Sequence, residues 1–314
     1  MRKLNRCPIC ISKDIKFLFN QNDKNMRISQ QFSLSKCYDC GGIFLNPQPT
    51  YKESEKFYPK EKYYSLDKIK TEKDSIKTKI KLKLYKIYFS ERKSFFKKIL
   101  FSPLKFMIRG TLIKKGAKLL DIGCGSGQFL YEMKELGMNV WGVEPGDFYN
   151  EGNKKYKLNI KNSDLIKARY PKEFFDIITM NHVLEHLDNP KESIKETHRI
   201  LKKGGNFIIG IPNSNSLACK MFGKNWHQLD IPRHLLNYSY KNARILLKNN
   251  GFRILKTRYN SRPSQFVVSL YFLLGIKKRT GVLNMILEGV FLPLTWLVNS
   301  LRIGDQIEIW CIRE

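Results

Sequence analysis

Three sets of residues in this 314-residue chain have types and spacings that could do chemistry. The first is two Cys-x-x-Cys pairs, Cys7/Cys10 and Cys37/Cys40. Four thiolates paired this way can hold one tetrahedral zinc ion, and four protein ligands leave no open coordination position, so the expected role is structural. The 26 residues between the pairs (11–36) exceed the usual range and require a long connecting loop. The second set is Asp121-x-Gly123-x-Gly125-x-Gly127, with Glu144 downstream. Alternating glycines let a ligand approach the backbone closely, and a carboxylate at the next strand's tip can accept hydrogen bonds from ribose hydroxyls. The third set is histidine: His182 and His186, just after Asn181, and His234 within 226–235. A neutral imidazole can take a proton from a hydroxyl at physiological pH.

Elements that would position these groups follow from the apolar pattern. The run 118–122 is a short buried strand ending near Asp121, and Phe129, Leu130, Met133 and Leu136 recur at helical spacing until Gly137 stops the helix. Strand, glycine turn and helix present the helix's free N–H groups to a ligand at the strand's carboxyl end. Further strands are expected at 140–143, just before Ser163-Asp164, at 175–181, 206–211, 252–259 and 307–312, with helices at 190–201 and 240–250. The tip of strand 175–181 places His182 and His186 for the reaction, and the Pro-broken stretch 226–235 reads as a loop gripping an acceptor over the fifth strand's tip. His198, inside a helix, is expected to be structural, and His227 lines the pocket or the loop surface.

The spacing Asp121-x-Gly123-x-Gly125-x-Gly127 with Glu144 differs from the G-x-G-x-x-G of dinucleotide folds and resembles the class I S-adenosylmethionine-dependent methyltransferases. That resemblance implies that Asp121 and the three glycines frame the methionine end of the cofactor, that Glu144 takes the ribose, and that Asp164 contacts the adenine amino group; Asn181 is grouped with them. His186 is expected as the base, with His234 as its rival and His182 third. The paired cysteines, joined to Gly41–Thr50, Phe57-Tyr58 and Tyr63-Tyr64, resemble the N-terminal module of bacterial methyltransferases encoded with surface-glycan biosynthesis genes. The expected fold class is therefore α/β: a class I methyltransferase (Rossmann-like) sheet with an N-terminal zinc ribbon and an apolar helical insert before the last strand. The corresponding segments are 1–50 (zinc ribbon), 51–117 (basic helical linker or cap) and 118–314 (cofactor-binding domain, insert 264–302).

A net charge of +29 points to an acidic partner, and the absence of an apolar run after Met1 and of a disulfide pattern points to the cytoplasm. Lysine crowds residues 68–118, where Ile76, Ile80, Leu84 and Ile87 lie at helical spacing, so a basic amphipathic helix is expected on a membrane, on nucleic acid, or packed on its own domain. The insert 264–301 is apolar except for a stripe of Asn284, Glu288, Thr295, Asn299 and Arg302. Glu288, Asn299 and Pro293 suit a membrane span poorly, so the insert is expected to cover the substrate or lie in the interface, beside the acceptor site. The leading function is methyl transfer from S-adenosylmethionine to a small-molecule or glycan acceptor, through a hydroxyl, in surface-polysaccharide assembly. The partners are a sugar, glycan or lipid-linked acceptor and an anionic surface on the inner face of the membrane. Methylation of nucleic acid and a noncatalytic scaffold are the alternatives.

Overall fold

The computed structural model describes residues 1–58, 76–89, 95–146, 149–276 and 281–314; Tyr63, Tyr64 and the lysines of 68–75 lie outside them. Among the described residues, eleven strands form two sheets. In the first, β1 (Ile15–Asn22), β2 (Gln31–Cys37) and β3 (Ile43–Leu45) run antiparallel in that order, and β9 (Leu236–Asn237) completes the edge against β3. The N-terminal segment thus takes its fourth strand from the far end of the chain.

The second sheet holds β4 (Lys118–Ile122), β5 (Asn139–Val143), β6 (Asn159–Lys161), β7 (Phe175–Asn181), β8 (Leu201–Pro212), β10 (Phe252–Tyr259) and β11 (Gln306–Arg313). Its spatial order is β10-β11-β8-β7-β4-β5-β6. β6, β5, β4, β7 and β8 are mutually parallel, and β11 is antiparallel to both of its neighbours, so β10 again runs with the majority. Central parallel strands are covered on both faces and read as unbroken apolar runs, which is why Leu119, Leu120 and Ile122 are all buried. Ile200 ends the helix Pro190–Ile200, and β8 begins at once with Leu201. Lys202-Lys203-Gly204-Gly205, expected to close the helix, is the first part of the strand; a register shift opposite Phe175 and Ile177 accommodates it.

The helix Ile76–Phe89 packs its apolar side on the α/β body, burying Leu84 and Tyr85, with Tyr85 against Phe129 and Lys81 ion-paired to buried Glu132 at 2.9 Å. Ile76 and Ile80, earlier on the same helix, remain exposed. The insert is two helices, Ser264–Leu273 and Gly281–Ser300, leaving the carboxyl end of β10. In the longer one Asn284, Thr295 and Asn299 of the polar stripe face inward beside Phe291, Leu294 and Val298, while Glu288 and Arg302 are exposed. Tyr271 donates from its hydroxyl to Asn284 Oδ1 (2.8 Å), the Asn299 amide exchanges hydrogen bonds with the Ser261 backbone (3.0 and 3.1 Å), and Thr295 is buried.

Candidate functional site

The glycine turn follows β4 with Gly123, Gly125 and Gly127 all at positive φ (66°, 54° and 83°) and opens into the helix Gln128–Glu135. Two of these glycines answer to different constraints. A Cβ on Gly123 would stand 2.3 Å from Val183 Cγ2, so this position must be bare for the segment after β7 to close over it. A Cβ on Gly125 would meet nothing within 4 Å, so its bare face looks onto open space above the turn. Glu144, at the end of β5, holds the turn from the side: Gly125 N–H donates to its Oε2 (2.8 Å) and Gly146 N–H to its Oε1 (3.1 Å). Burial raises the Glu144 carboxyl. Each oxygen keeps a lone pair for a further donor, which suits a diol.

Asp121 is fully buried, accepting from Thr179 Oγ1 (2.7 Å) and from Arg109 Nη1 (3.2 Å). Burial raises its carboxyl, opposed by the Arg109 charge. The Arg109 guanidinium also lies 4.9 Å over the Phe129 ring, beside the turn. It stands in a lysine-rich stretch and no sequence spacing singled it out. Asn181 sits at the tip of β7, over Gly210 of β8, where a Cβ would come 2.2 Å from Asn181 Oδ1. Asp164 caps its own turn, accepting from Lys167 N–H (2.8 Å) and pairing with Lys167 Nζ (3.0 Å); no hydrogen bond ties it to the glycine turn.

The segment covering Gly123 carries the histidines. His182 has φ 55°, a left-handed conformation that a residue with a side chain adopts rarely and that marks functional tips. Glu185, absent from the residues singled out by sequence, is completely buried at the centre of the cluster. His182 Nδ1–H donates to Glu185 Oε1 at 3.1 Å, and His234 Nε2 lies 3.9 Å from the same oxygen. Burial alone would push the Glu185 carboxyl up; the His182 hydrogen bond and the surrounding imidazoles outweigh it and hold it near 2, ionised at neutral pH. His186 lies in a single 3-10 turn, Leu184–His186, its Nδ1 3.0 Å from both the Arg233 carbonyl and the Tyr58 hydroxyl. A carbonyl only accepts, so Nδ1 carries the proton. Burial and the neighbouring His234, whose ring centroid is 4.7 Å away, lower His186 to about 4. His234 Nδ1–H donates to the Gln228 carbonyl at 2.7 Å, and the residue is 3% exposed. Glu185, His186 and His234 present ligand atoms within 4.8 Å of one another, close enough to share a metal ion. His198 packs edge-on against Phe252, away from the cluster, as a structural residue does.

The segment 226–235, expected as a loop gripping an acceptor, is buried from Leu229 to Leu235. Arg233 is the reason. Its guanidinium is fully buried between Asp230 of the same loop and Asp23 of the N-terminal sheet; Asp23 accepts at 2.7 and 2.9 Å, and Phe57 O accepts at 3.2 Å. A guanidinium can enter a core only with its charge matched and its donors satisfied, so the loop is pinned between the sheets. The Arg233 backbone carbonyl then orients His186. Sequence spacing could not reveal a pair 210 residues apart.

Cys7 Sγ and Cys40 Sγ lie 3.6 Å apart, as do Cys10 Sγ and Cys37 Sγ, and all four fall within 4.8 Å. Tetrahedral zinc with bonds of about 2.3 Å spaces its sulfurs about 3.8 Å apart, whereas a disulfide needs about 2.05 Å. Gly42 N–H donates to Cys40 Sγ at 3.4 Å, the kind of contact that stabilises a thiolate. The donor set and its spacing fit a tetrahedral metal.

A family model described as a methyltransferase domain matches residues 92–257, more than half of the chain. The chain is 30% identical over 165 residues to a ubiquinone biosynthesis O-methyltransferase of Pelagibacter ubique, covering 45% of this chain and 68% of that protein. It is 31% identical over 140 residues to an uncharacterized protein of Methanocaldococcus jannaschii, covering 44% and 65%. The chain therefore spans about two thirds of the length of these relatives. Among solved structures it resembles a SAM dependent methyltransferase from Archaeoglobus fulgidus, 23% identical with a TM-score of 0.46 over 64% of this chain and 88% of that one.

Proposed function

Because the chain belongs to the S-adenosylmethionine-dependent methyltransferases, we propose that it methylates a hydroxyl of a sugar or glycan acceptor, with His182 as the base. The observation that carries this reading is the contact between the two halves of the site: the His182–Glu185 segment lies directly on the cofactor turn through Val183 and Gly123. S-adenosylmethionine supplies a methyl carbon on a sulfonium, open to in-line displacement by an oxygen nucleophile. The glycine turn and Glu144 would hold its nucleoside, and Arg109, beside the turn, offers a guanidinium to its carboxylate.

The choice of base follows from the pairing of the imidazoles. A buried carboxylate holding Nδ1–H leaves the His182 Nε2 lone pair free and stabilises the imidazolium that forms when the acceptor proton arrives. His186, the base expected from sequence, has only carbonyl and hydroxyl partners and a depressed basicity; a base works best near the ambient pH. It reads better as a wall of the site joined to the N-terminal segment through Tyr58. A hydroxyl acceptor agrees with the O-methyl transfer named for the Pelagibacter relative. The glycan class rests on the likeness of the Cys7/Cys10/Cys37/Cys40 module to that of surface-glycan methyltransferases, and the reading includes one structural zinc there.

The test is a comparison of His182→Ala and His186→Ala with labelled S-adenosylmethionine and fractionated glycans, lipids and RNA as acceptors. His182→Ala is expected to lose about 10²–10⁴-fold in rate with cofactor affinity intact. A larger loss in His186→Ala would transfer the role to that residue. Label appearing only in RNA would overturn the acceptor class.

A further inference from the structure

The helix Gly281–Ser300 is apolar on its outer side as well as its inner one. A surface helix ordinarily turns its apolar stripe to the core and its polar side to water. Here the inner face packs Phe291, Leu294 and Val298 together with Asn284, Thr295 and Asn299, and the opposite face is also apolar but bare. At 100° per residue, Val282, Met285, Ile286, Val290, Trp296 and Leu297 spread over an arc of roughly 140°, and each is between 46% and 70% exposed. This is the one helix among the described residues long and apolar enough to cross a membrane, and most of it is not buried. Its C-terminal part is fastened to the body by Asn299 and the buried Val298, and Asn284 ties its start to the other helix of the insert. A helix held by one side with an apolar outer face lies in the plane of an interface.

We propose that this face docks on an anionic lipid bilayer. The charge around it selects that occupant over a second copy of the chain. The net charge is +29, and in the sequence the helix is preceded by Lys277, Lys278 and Arg279 and followed by Arg302. β10, on which the helix packs, also carries Lys256, whereas its Arg258 is ion-paired to Glu308 (3.2 Å). Lys98 and Lys105 stand near enough to them that burial and mutual repulsion lower Lys105 to about 8. Two copies would bring like charge to like charge, whereas an anionic leaflet complements it. A protein partner would also expect hydrogen-bonding groups in the contact, about one per 100–200 Å². The outer arc offers only the Trp296 indole, which suits the headgroup level of a membrane, and the Ser300 hydroxyl, which already donates to the Trp296 carbonyl (2.9 Å). Docking here places the carboxyl ends of the strands, from which the insert emerges, beside the lipid surface.

Flotation of the full chain with vesicles of phosphatidylcholine and roughly one-third phosphatidylglycerol tests this, and needs no methyl transfer, so it stands or falls apart from the proposed activity. The protein should float with the anionic vesicles at low salt and release at high salt. Ile286→Asp/Val290→Asp, placed on the exposed arc, should reduce binding at least about tenfold with an unchanged melting temperature. Equal binding to pure phosphatidylcholine would overturn the anionic choice. Binding untouched by the double substitution would overturn the role of the helix. Failure to float, with sedimentation showing either a monomer or a dimer that the substitution dissolves, would overturn the membrane altogether.

Discussion

Replacing Asp23 by Asn separates two roles that the buried Arg233 cluster combines. Arg233 donates to Asp23 through Nη1 and Nη2 (2.7 and 2.9 Å) and to Asp230 through Nη2 and Nε (2.6 and 3.1 Å), with both carboxylates and the guanidinium at 0–1% exposure. Removing one partner of a buried ion pair costs about 3–5 kcal/mol, because the remaining charge cannot reach water. Asp23→Asn leaves a neutral Arg233–Asp230 pair and keeps one acceptor oxygen, so its cost should sit near the lower end, about 3 kcal/mol. Arg233→Met strands two carboxylates together and should cost more, about 5 kcal/mol. Replacing all three by apolar residues of similar size should recover much of the loss, since no uncompensated charge remains. Urea unfolding followed by tryptophan fluorescence measures these differences. Calorimetry with S-adenosylmethionine should show near-native affinity for the folded variants, because Glu144 is held by the N–H groups of Gly125 and Gly146. Turnover should fall, because the Arg233 carbonyl orients His186. An Asp23→Asn cost under about 1 kcal/mol, the value of a solvated surface pair, would refute the reasoning and release the N-terminal sheet from the catalytic loop.

Three further outcomes are expected. Glu144→Ala should weaken S-adenosylmethionine binding by about 1.5–3 kcal/mol for each charge-assisted hydrogen bond to the ribose, and unchanged affinity by calorimetry would remove Glu144 from the cofactor site. Elemental analysis should find one zinc per chain; chelation should loosen the N-terminal sheet, and through β9 and Asp23 it should also disturb 229–237, read as a loss of hydrogen-exchange protection there. His186 is lowered in the fold to about 4 from its usual 6.5, so its contribution to stability is complete above pH 6.5 and is lost as pH falls toward 4, where the unfolded chain binds the extra proton. Unfolding free energy should drop by up to about 1.4 kcal/mol per pH unit across that window, and the slope should flatten in His186→Phe; an unaltered slope would assign the acid sensitivity elsewhere.

The sequence alone carried the parts of the molecule whose physics is local. Gly123, Gly125 and Gly127 must be glycine because each takes a positive φ, and a strand before them and a helical period after them are written within a few residues. The parallel order around β4 follows from short apolar runs alternating with helices, and Cys7, Cys10, Cys37 and Cys40 declare a four-thiolate cluster by spacing. Tertiary structure decided what depends on partners far along the chain. Glu185 is ordinary in the sequence and becomes the hub of the histidines only when β7's tip folds over Gly123. Arg233 turns an apparent acceptor loop into a buried joint because Asp23 arrives from 210 residues away. Periodicity showed that Gly281–Ser300 has a polar stripe and an apolar arc, but it carries no sign: either face could have met the core. The packing of Phe291, Leu294 and Val298, with the hydrogen bonds of Asn284 and Asn299 to Tyr271 and Ser261, chose the inner side and left the other apolar arc outside.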